Sequence, residues 1–271
     1  VDCELITREQ LRKIEPHCAG IAAIHVRDTG VTDFKIVCDR LASHVEVITN
    51  ARVEAIRDGE VATADRTFTA KQIINCAGLH SDRVARMSGT DPGVQIVPFR
   101  GEYYTVANAD LCRTLIYPVP DPALPFLGVH FTRAVDDHVH CGPNAVFAFA
   151  REGYRRRDIN IRDLREALTF PGFYRIVAKM WRTGAGEMWR SLSKHAFVRA
   201  AQRLVPDVRE EDFVPAPAGV RAQAIARSGA MVDDFLVVQS GRTLNVLNAP
   251  SPAATASLAI AGLIVERAGL K

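Results

Sequence analysis

The sequence lacks several features that define large protein classes. No apolar run reaches the ~18 residues that a membrane-spanning helix needs. No C-x-x-C pair occurs, and six widely spaced cysteines are too few for a disulfide scaffold, so reduced thiols are expected. The first residues, VDCELITREQ, do not have the pattern of a signal peptide. These absences predict a cytoplasmic protein.

The sequence also lacks a large excess of either positive or negative charge. The 34 Lys and Arg residues exceed the 31 Asp and Glu residues by 3 in 271 residues, and the run at 155–157 has no interleaved aromatics. Nucleic-acid-binding domains are usually more basic, so no nucleic-acid partner is expected. The 48% hydrophobic and 24% charged residues are ordinary for globular chains and exclude a disordered or collagen-like protein. The length allows about two domains.

The first third of the chain changes its hydrophobic period near residue 45. Residues 7–10 form a capping-box pattern that predicts a helix to about residue 15, and Asp58-Gly59 predicts a hairpin turn. A second helix is expected over 33–43, with strands over 21–26, 45–48, 51–56, 60–63 and 67–70. Residues 71–82 then predict a strand, a small-residue turn at Ala77-Gly78 and a helix. Such a turn lets backbone approach a ligand, but any strand-to-helix connection can carry it.

The rest of the chain predicts an antiparallel sheet followed by helices. Four strands are expected over 100–107, 114–119, 126–133 and 138–142, and three helices over 161–168, 174–181 and 193–204. Residues 214–219 are expected to be a Pro/Ala/Gly loop. Strands over 220–226 and 235–247, with a turn at Ser240-Gly241, precede a last helix over 253–268.

Six short sequence motifs are too specific to be explained by structural requirements alone, and they occur in a fixed order. They are INCAGLHSD, PFRGEYY, FLGVHFT, GPNAV, AGVRAQ and NAPSPAAT, beginning at residues 74, 98, 126, 142, 218 and 248. Together they resemble the L-2-hydroxyglutarate oxidase/dehydrogenase family, which belongs to the FAD-dependent D-amino-acid-oxidase-like superfamily. Any one motif alone would be weak evidence.

The resemblance implies an α/β (α+β) fold with a partial FAD-binding Rossmann-like part and an antiparallel-sheet substrate part. The expected limits are 33–95 and 219–271 for the FAD-binding-like part, 96–218 for the substrate part, and 1–32 for a partial cap or linker. Family members begin with a strand, a G-x-G-x-x-G turn and a helix that bind the FAD pyrophosphate, and this sequence contains no G-x-G-x-x-G. We therefore expect the chain to start about a third of the way into the family pattern.

The resemblance also implies which residues meet FAD. Val53 matches the position whose backbone meets the adenine, and Ala77 and Gly78 match the turn beside the pyrophosphate and ribose. Ser251, Pro252 and Ala253 match the loop and helix start near the flavin ring, where free N–H groups favour the electron-rich side of the flavin. The alternative for residues 248–252 is a plain helix-entry turn.

Arg221 is the first choice for the substrate carboxylate. It matches the arginine of the Gly-Leu-Arg motif in related amino-acid oxidases, and an arginine within an apolar strand needs a partner such as a carboxylate. The alternative is a structural ion pair with Asp233 or Asp234. For the distal carboxylate we expect Arg100 with Tyr103 or Tyr104, since residues two apart share a strand face, although sheet packing explains Tyr104 better. Asn144, in GPNAV, is the further substrate-binding candidate.

His130 is the candidate catalytic base, because removing the hydroxyl proton of a 2-hydroxy acid suits a histidine of near-neutral pKa. A buried, satisfied histidine is the alternative. His80 is expected near the cofactor turn or in a structural role. His138 and His140 share a strand face without a convincing third ligand, so no metal site is predicted.

The expected function is FAD-dependent oxidation of L-2-hydroxyglutarate, or a similar 2-hydroxy acid, to the 2-oxo acid, with quinone or oxygen as electron acceptor. The substrate would be a small dicarboxylate, and peripheral contact with the inner membrane is included in this expectation. One alternative is a truncated, catalytically silent domain that binds an acidic metabolite or a partner without flavin. Another is a related substrate, such as glycerol 3-phosphate or an amino acid.

Overall fold

The polypeptide alternates between two units. The computed structural model describes residues 1–120, 128–249 and 253–270. The first unit consists of Val1–Ser43, Arg100–Val146 and Arg182–Gly219, and the second of His44–Phe99, Phe147–Trp181 and Val220–Lys271. The chain passes from one unit to the other at residues 43/44, 99/100, 146/147, 181/182 and 219/220. Residues 147–181, expected with the substrate part, lie in the second unit instead, where Phe173 and Ile176 join a buried cluster with Val97 and Ile225.

Fourteen strands and seven α-helices are present in the described part of the chain. The strands are β1 (Cys3–Thr7), β2 (Ala22–Val26), β3 (Ala55–Arg57), β4 (Glu60–Ala62), β5 (Thr67–Thr69), β6 (Ile73–Asn75), β7 (Val94–Val106), β8 (Leu115–Ile116), β9 (His130–Arg133), β10 (Val139–Gly142), β11 (Val146–Phe147), β12 (Phe213–Ala226), β13 (Leu236–Ser240) and β14 (Thr243–Asn248). The helices are α1 (Arg8–Ile14), α2 (Phe34–Ala42), α3 (Ser81–Met87), α4 (Ile161–Thr169), α5 (Pro171–Leu192), α6 (Lys194–Ala201) and α7 (Ser257–Arg267).

An antiparallel ladder organises the first unit. β10 pairs with β7 on one side and with β9 on the other, and β9 pairs in turn with β8. Alternate residues of these strands, Tyr104, Phe131 and Cys141, enter the core. The Tyr104 ring packs against Phe197 of α6 at 4.7 Å and against Phe213 at 5.8 Å between ring centroids. Tyr104 is therefore a core residue, as its packing alternative predicts.

The second unit contains a mixed sheet of three strands. β14 pairs antiparallel with β13 and parallel with β6. β6 leads through a short 3₁₀ turn into α3, which gives the strand–turn–helix connection typical of α/β proteins. Ile96, Ala224 and Leu247 form a buried cluster with Ala85 of α3. The expected α/β class is confirmed.

Several local predictions are confirmed by hydrogen bonds. Thr7 and Gln10 form both bonds of the capping box at the start of α1, and Asp33 caps α2 by accepting the Lys35 N–H. The predicted turn at Ser240-Gly241 connects β13 to β14, and Gly241 has a φ of 53°. These signals were reliable because each depends on neighbours within a few residues.

Other local predictions were wrong. Residues 214–219, expected to be a loop, lie within β12, whose Pro215 and Pro217 are two residues apart. Their missing N–H groups therefore point to the same side of the strand, which leaves the other side able to pair with β7. Residues 45–48 form no strand, and Val45 and Val47 are exposed. The helix expected over 174–181 extends over all of α5, with a kink at Met180.

Candidate functional site

The turn after β6 is held by one buried asparagine. Asn75 Nδ2 donates to the Ser81 carbonyl and to Asn245 Oδ1, both at 2.9 Å, and Asn75 Oδ1 accepts the Ala77 N–H at 3.1 Å. Gly78 follows with a φ of 53°, where any other residue is strained. A Cβ built on Gly78 has no atom within 4 Å, so the space above this backbone is open to a ligand.

A cavity of about 370 Å³ adjoins this turn in the second unit. Cys76 and Gly78 line it where β6 ends, and Leu247 lines it near the end of β14. Ala253, Ile260 and Ile264 line it from the last helical segment. The cavity thus joins two of the predicted cofactor positions, Gly78 and Ala253, at the carboxyl ends of two parallel strands, where α/β sheets commonly bind ligands.

The other predicted cofactor residues are distributed differently. Ala77 is exposed in the turn itself. Val53 is half-buried but precedes β3, because the strand begins at Ala55 and not at residue 51 as expected. Ser251 and Pro252 lie outside the described residues.

Two predicted substrate residues of the first unit meet through a third residue. Arg100, which is 6% exposed, donates from Nε and Nη2 to Glu102 Oε1 at 3.3 and 3.1 Å. Asn144 Nδ2 donates to Glu102 Oε2 at 2.9 Å, and Asn144 Oδ1 accepts the Glu102 N–H at 2.8 Å. Sequence reasoning missed Glu102. The signal was available, because Arg100 and Glu102 are two residues apart on one strand and so share a face.

The two other predicted residues of this unit, Tyr103 and His130, lie in one row across β7, β10 and β9. The ladder pairs Cys141 with Tyr104 and Gly142 with His130, so one further step places Tyr103 opposite Gly142. A Cβ on Gly142 would lie 2.9 Å from Tyr103 Cδ1, which shows that the tyrosine ring lies over the glycine. Tyr103 and His130 thus share a sheet face, opposite to the face of Tyr104 and, by strand alternation, of Arg100. Arg100 and Tyr103 were expected together, and the strand separates them.

His130 has a defined tautomer. Its Nδ1 lies 3.2 Å from the Gly128 carbonyl oxygen, which can only accept, so Nδ1 carries the proton. The neutral ring then has its basic lone pair on Nε2. The Tyr117 ring stacks on the imidazole, with centroids 4.4 Å apart and an interplanar angle of 25°. His130 is half-buried, and this geometry suits a general base.

Arg221 lies on β12 in the second unit and is half-buried. Its neighbours Ala222 and Ala224 pack with the cluster of Ala85 and Leu247, so alternation places Arg221 on the other face of the strand, with Ile225. Asp234, one alternative ion-pair partner, accepts the Phe235 N–H. The carboxylate-binding role of Arg221 stays a prediction.

Three of the cysteines are buried in the hydrophobic core of the first unit, where a thiol is unreactive. Cys18, Cys112 and Cys141 are buried, whereas Cys3, Cys38 and Cys76 are exposed. Burial, with a smaller effect of the Glu15 carboxylate, raises the pKa of Cys112 to about 12, and burial raises the pKa of Cys141 well above its usual value. Among the described residues, no group of three or more His, Cys, Asp or Glu side chains is arranged to hold a metal ion.

The family model for FAD-dependent oxidoreductases (DAO) matches residues 1–267. The chain belongs to this family. Among curated proteins, it is 46% identical over 96% of its length to L-2-hydroxyglutarate dehydrogenase of Indibacter alkaliphilus. It is 41% identical over 98% of its length to the enzyme of that name from Escherichia coli K12, and 41% identical over 98% to the mitochondrial one from Nematostella vectensis. The oxidoreductase chain spans about two thirds of these relatives, 68%, 66% and 65% of their lengths.

Solved structures of the same fold agree with the family. FAD-bound, dithionite-reduced L-α-glycerophosphate oxidase from Mycoplasma pneumoniae superposes with a TM-score of 0.71 at 21% identity, covering 100% of this chain and 65% of that one. Glycine oxidase from Geobacillus kaustophilus superposes with a TM-score of 0.62 at 16% identity, covering 98% and 63%. At these identities the likeness shows the fold of the oxidoreductase. In the described part of the chain, none of the helices combines the length and apolarity needed to cross a bilayer.

The residues of the second unit fit part of an FAD site. Small side chains, including Ala222, Ala249 and Ala253, line the cavity and let a flat group approach the backbone. Gly78 leaves open space above the turn. Among the described residues, neither the cavity lining nor the turn contains a glycine-rich phosphate loop of the G-x-G-x-x-G kind.

Proposed function

We propose that this oxidoreductase oxidises L-2-hydroxyglutarate to 2-oxoglutarate with FAD. The observation that carries the proposal is the identity of 46% to a curated L-2-hydroxyglutarate dehydrogenase over 96% of the chain. The hydrogen-bonding and cationic groups at the predicted substrate positions suit a dicarboxylate that carries a hydroxyl group.

In the proposed mechanism, the residues of this chain bind the substrate and remove one proton. Arg221 binds the carboxylate next to the hydroxyl-bearing carbon in a bidentate manner. Tyr103, which shares the sheet face of His130, stays the proposed contact for the second carboxylate, whereas Arg100 on the opposite face pairs with Glu102, to which Asn144 also donates. His130 accepts the hydroxyl proton at Nε2, since Nδ1 is already protonated toward Gly128. Bound FAD supplies the acceptor for the hydride that leaves C2.

The proposed cofactor contacts lie in the second unit. Val53 would meet the adenine through its backbone, Ala77 and Gly78 would hold the pyrophosphate and ribose, and Ala253 would contact the flavin ring. Ser251 and Pro252, outside the described residues, stay predicted flavin contacts. Quinone or oxygen is the proposed final acceptor. With quinone as the acceptor, the proposal includes peripheral contact of the protein with the inner membrane.

The flavin content of two forms tests the proposal. One form is the chain of 271 residues, and the other is the same chain preceded by a strand, a G-x-G-x-x-G turn and a helix of the family pattern. Because the first form leaves two phosphate charges without their backbone donors, we expect it to purify without stoichiometric flavin and without turnover. The second form should bind one flavin and oxidise L-2-hydroxyglutarate.

Two results would contradict this account. One flavin bound per chain in the first form would show that the described residues hold the pyrophosphate unaided. Absence of flavin and turnover from the second form would favour the alternative of a catalytically silent binding domain.

A further inference from the structure

A cluster of charged side chains is buried in the second unit, next to the turn at Ala77-Gly78. Arg151 is 1% exposed and Asp82 is fully buried. Around this pair lie Arg83 of α3 and Asp163 and Glu166 of α4. None of these five residues belongs to the reaction proposed above.

Arg151 binds the turn directly. Its Nη1 donates to the Leu79 carbonyl at 2.6 Å, within the 3₁₀ segment that begins at Gly78. Nη1 also bonds to Asp82 Oδ1, and Nη2 donates to Asp82 Oδ2 at 2.9 Å. One guanidinium therefore holds a backbone carbonyl of the turn and the second residue of α3 together.

The other side of Arg151 is fixed by α4. Its backbone N–H donates to Asp163 Oδ2 at 2.7 Å, and Nη2 donates to Glu166 Oε2 at 3.2 Å. Arg83 donates to the same Glu166 oxygen from Nη2 at 2.7 Å. The guanidinium of Arg151 is thus bonded to α3, to α4 and to the turn at the same time.

Such a cluster is a costly way to stabilise a fold, because desolvation of buried charges often cancels their attraction. Burial acts to raise the pKa of Asp82, but the hydrogen bonds and charge of Arg151 hold that pKa below its usual value, so the carboxylate stays ionised. Planar, bidentate hydrogen bonds fix the direction of each bonded group, which hydrophobic contacts do not do.

We infer that Arg151 is a positioning residue for the cofactor turn, because it fixes the Leu79 carbonyl and Asp82 and thereby the backbone at Ala77-Gly78. The inference rests on the proposed function only in assigning this turn to FAD. The network provides the turn's geometry before any ligand arrives, so the ligand does not have to order it.

Hydrogen exchange of the chain without flavin tests the positioning role. The reporters are the N–H groups of Ala77 and His80, which donate to Asn75 Oδ1 and to the Ala77 carbonyl. Arg151→Lys keeps the charge but has one ammonium group for the Leu79 and Asp82 acceptors. We expect exchange in a peptide over 76–82 to rise about tenfold, while β13, as an internal reference, changes by less than about threefold.

Arg162→Lys is the matched control, because it makes the same change of residue at an exposed arginine that bonds to Glu166 Oε1, on the edge of the network, and has no described bond to Arg151 or the turn. It should leave the 76–82 peptide within about threefold of the wild type. If Arg151→Lys does not fold, Asp82→Asn replaces it, with an intermediate increase expected. Equal exchange at the turn in the test and control variants would overturn the inference and assign Arg151 a general structural role.

A second readout concerns the flavin-loaded form described above. Arg151→Lys should release FAD about tenfold faster than the wild type, and Arg162→Lys should not. A looser turn with unchanged release would overturn the link to the cofactor. Failure of the wild type to bind FAD would instead contradict the proposed function, and the exchange experiment would still decide the role of Arg151.

Discussion

Glu102 connects Arg100 and Asn144, two residues that the sequence suggested for separate reasons. Both carboxylate oxygens of Glu102 are used, one by the arginine and one by the amide. The asparagine returns a bond to the Glu102 N–H. The charge of Arg100 is therefore already partly balanced by Glu102 on its own face of the sheet.

Removal of the Asn144 side chain tests this unit. Asn144→Ala leaves the half-buried Glu102 N–H without its acceptor, so we expect the free energy of unfolding to fall by about 1–3 kcal/mol. Urea unfolding measures this change. Gln239→Ala, at an exposed site, should stay within about 0.5 kcal/mol of the wild type. An Asn144→Ala variant as stable as this control would contradict the described hydrogen bonds.

The proposed role of a second single residue, Arg221, is tested through substrate binding. In the flavin-loaded form, Arg221→Ala should raise KM for the hydroxy acid and lower kcat/KM by an amount equivalent to about 2–4 kcal/mol, because a charge-assisted bidentate contact is lost. Steady-state kinetics measure the effect. Arg227→Ala, which removes an exposed arginine paired with Asp91, is the control and should leave both constants unchanged. Unchanged kinetics in both variants would assign Arg221 to a structural ion pair.

Sequence reasoning at this scale found residues whose neighbours are close along the chain. Glu102 was within its reach, two residues from Arg100. Arg151 was not, because its partners Leu79, Asp82 and Glu166 are 72, 69 and 15 residues away. Contacts of that kind form only when the fold is complete.

At the scale of elements, the turn between β6 and α3 has a backbone conformation that favours glycine, with open space beside it. Gly78 needs its positive φ but has no atom near an added Cβ. The sequence predicted the strand, turn and helix here, as well as the capping box of α1. It mispredicted residues 214–219, because the two prolines were interpreted as loop signals although they leave one side of β12 free to pair.

A pair of glycine variants separates backbone strain from crowding. Gly78→Ala should lower the free energy of unfolding by about 1–2 kcal/mol, since only the backbone conformation opposes the new methyl group. Gly184→Ala also adds a methyl group in open space, but within α5, and should raise stability by about 0.5–1 kcal/mol. Thermal and urea unfolding measure both. Effects of the same sign would show that φ at residue 78 is not the deciding factor.

At the scale of the whole molecule, the buried network predicts a dependence of stability on pH. Burial opposes ionisation of Asp82, Asp163 and Glu166, yet bonds from Arg151 and Arg83 hold the pKa of each carboxyl below its usual value. Their contribution to stability is therefore complete above the pKa of the unfolded chain, near pH 4, and is lost as the pH falls through the lower folded values.

The melting temperature should accordingly fall steeply below about pH 4 and change little between about pH 5 and 7 on account of these groups. Differential scanning calorimetry across this range measures it. Asp163→Asn should flatten the acid limb, because one of the titrating carboxylates is gone. An acid limb of unchanged steepness in that variant would contradict the proposed origin of the pH dependence.

The most direct test of the proposed function is anaerobic titration of the flavin-loaded form with the two enantiomers of 2-hydroxyglutarate. The account predicts that the L enantiomer abolishes the visible absorption of oxidised flavin, that 2-oxoglutarate appears in equal amount, and that the D enantiomer leaves the spectrum unchanged. Flavin that stays oxidised with L-2-hydroxyglutarate but is reduced by glycerol 3-phosphate or an amino acid would contradict it.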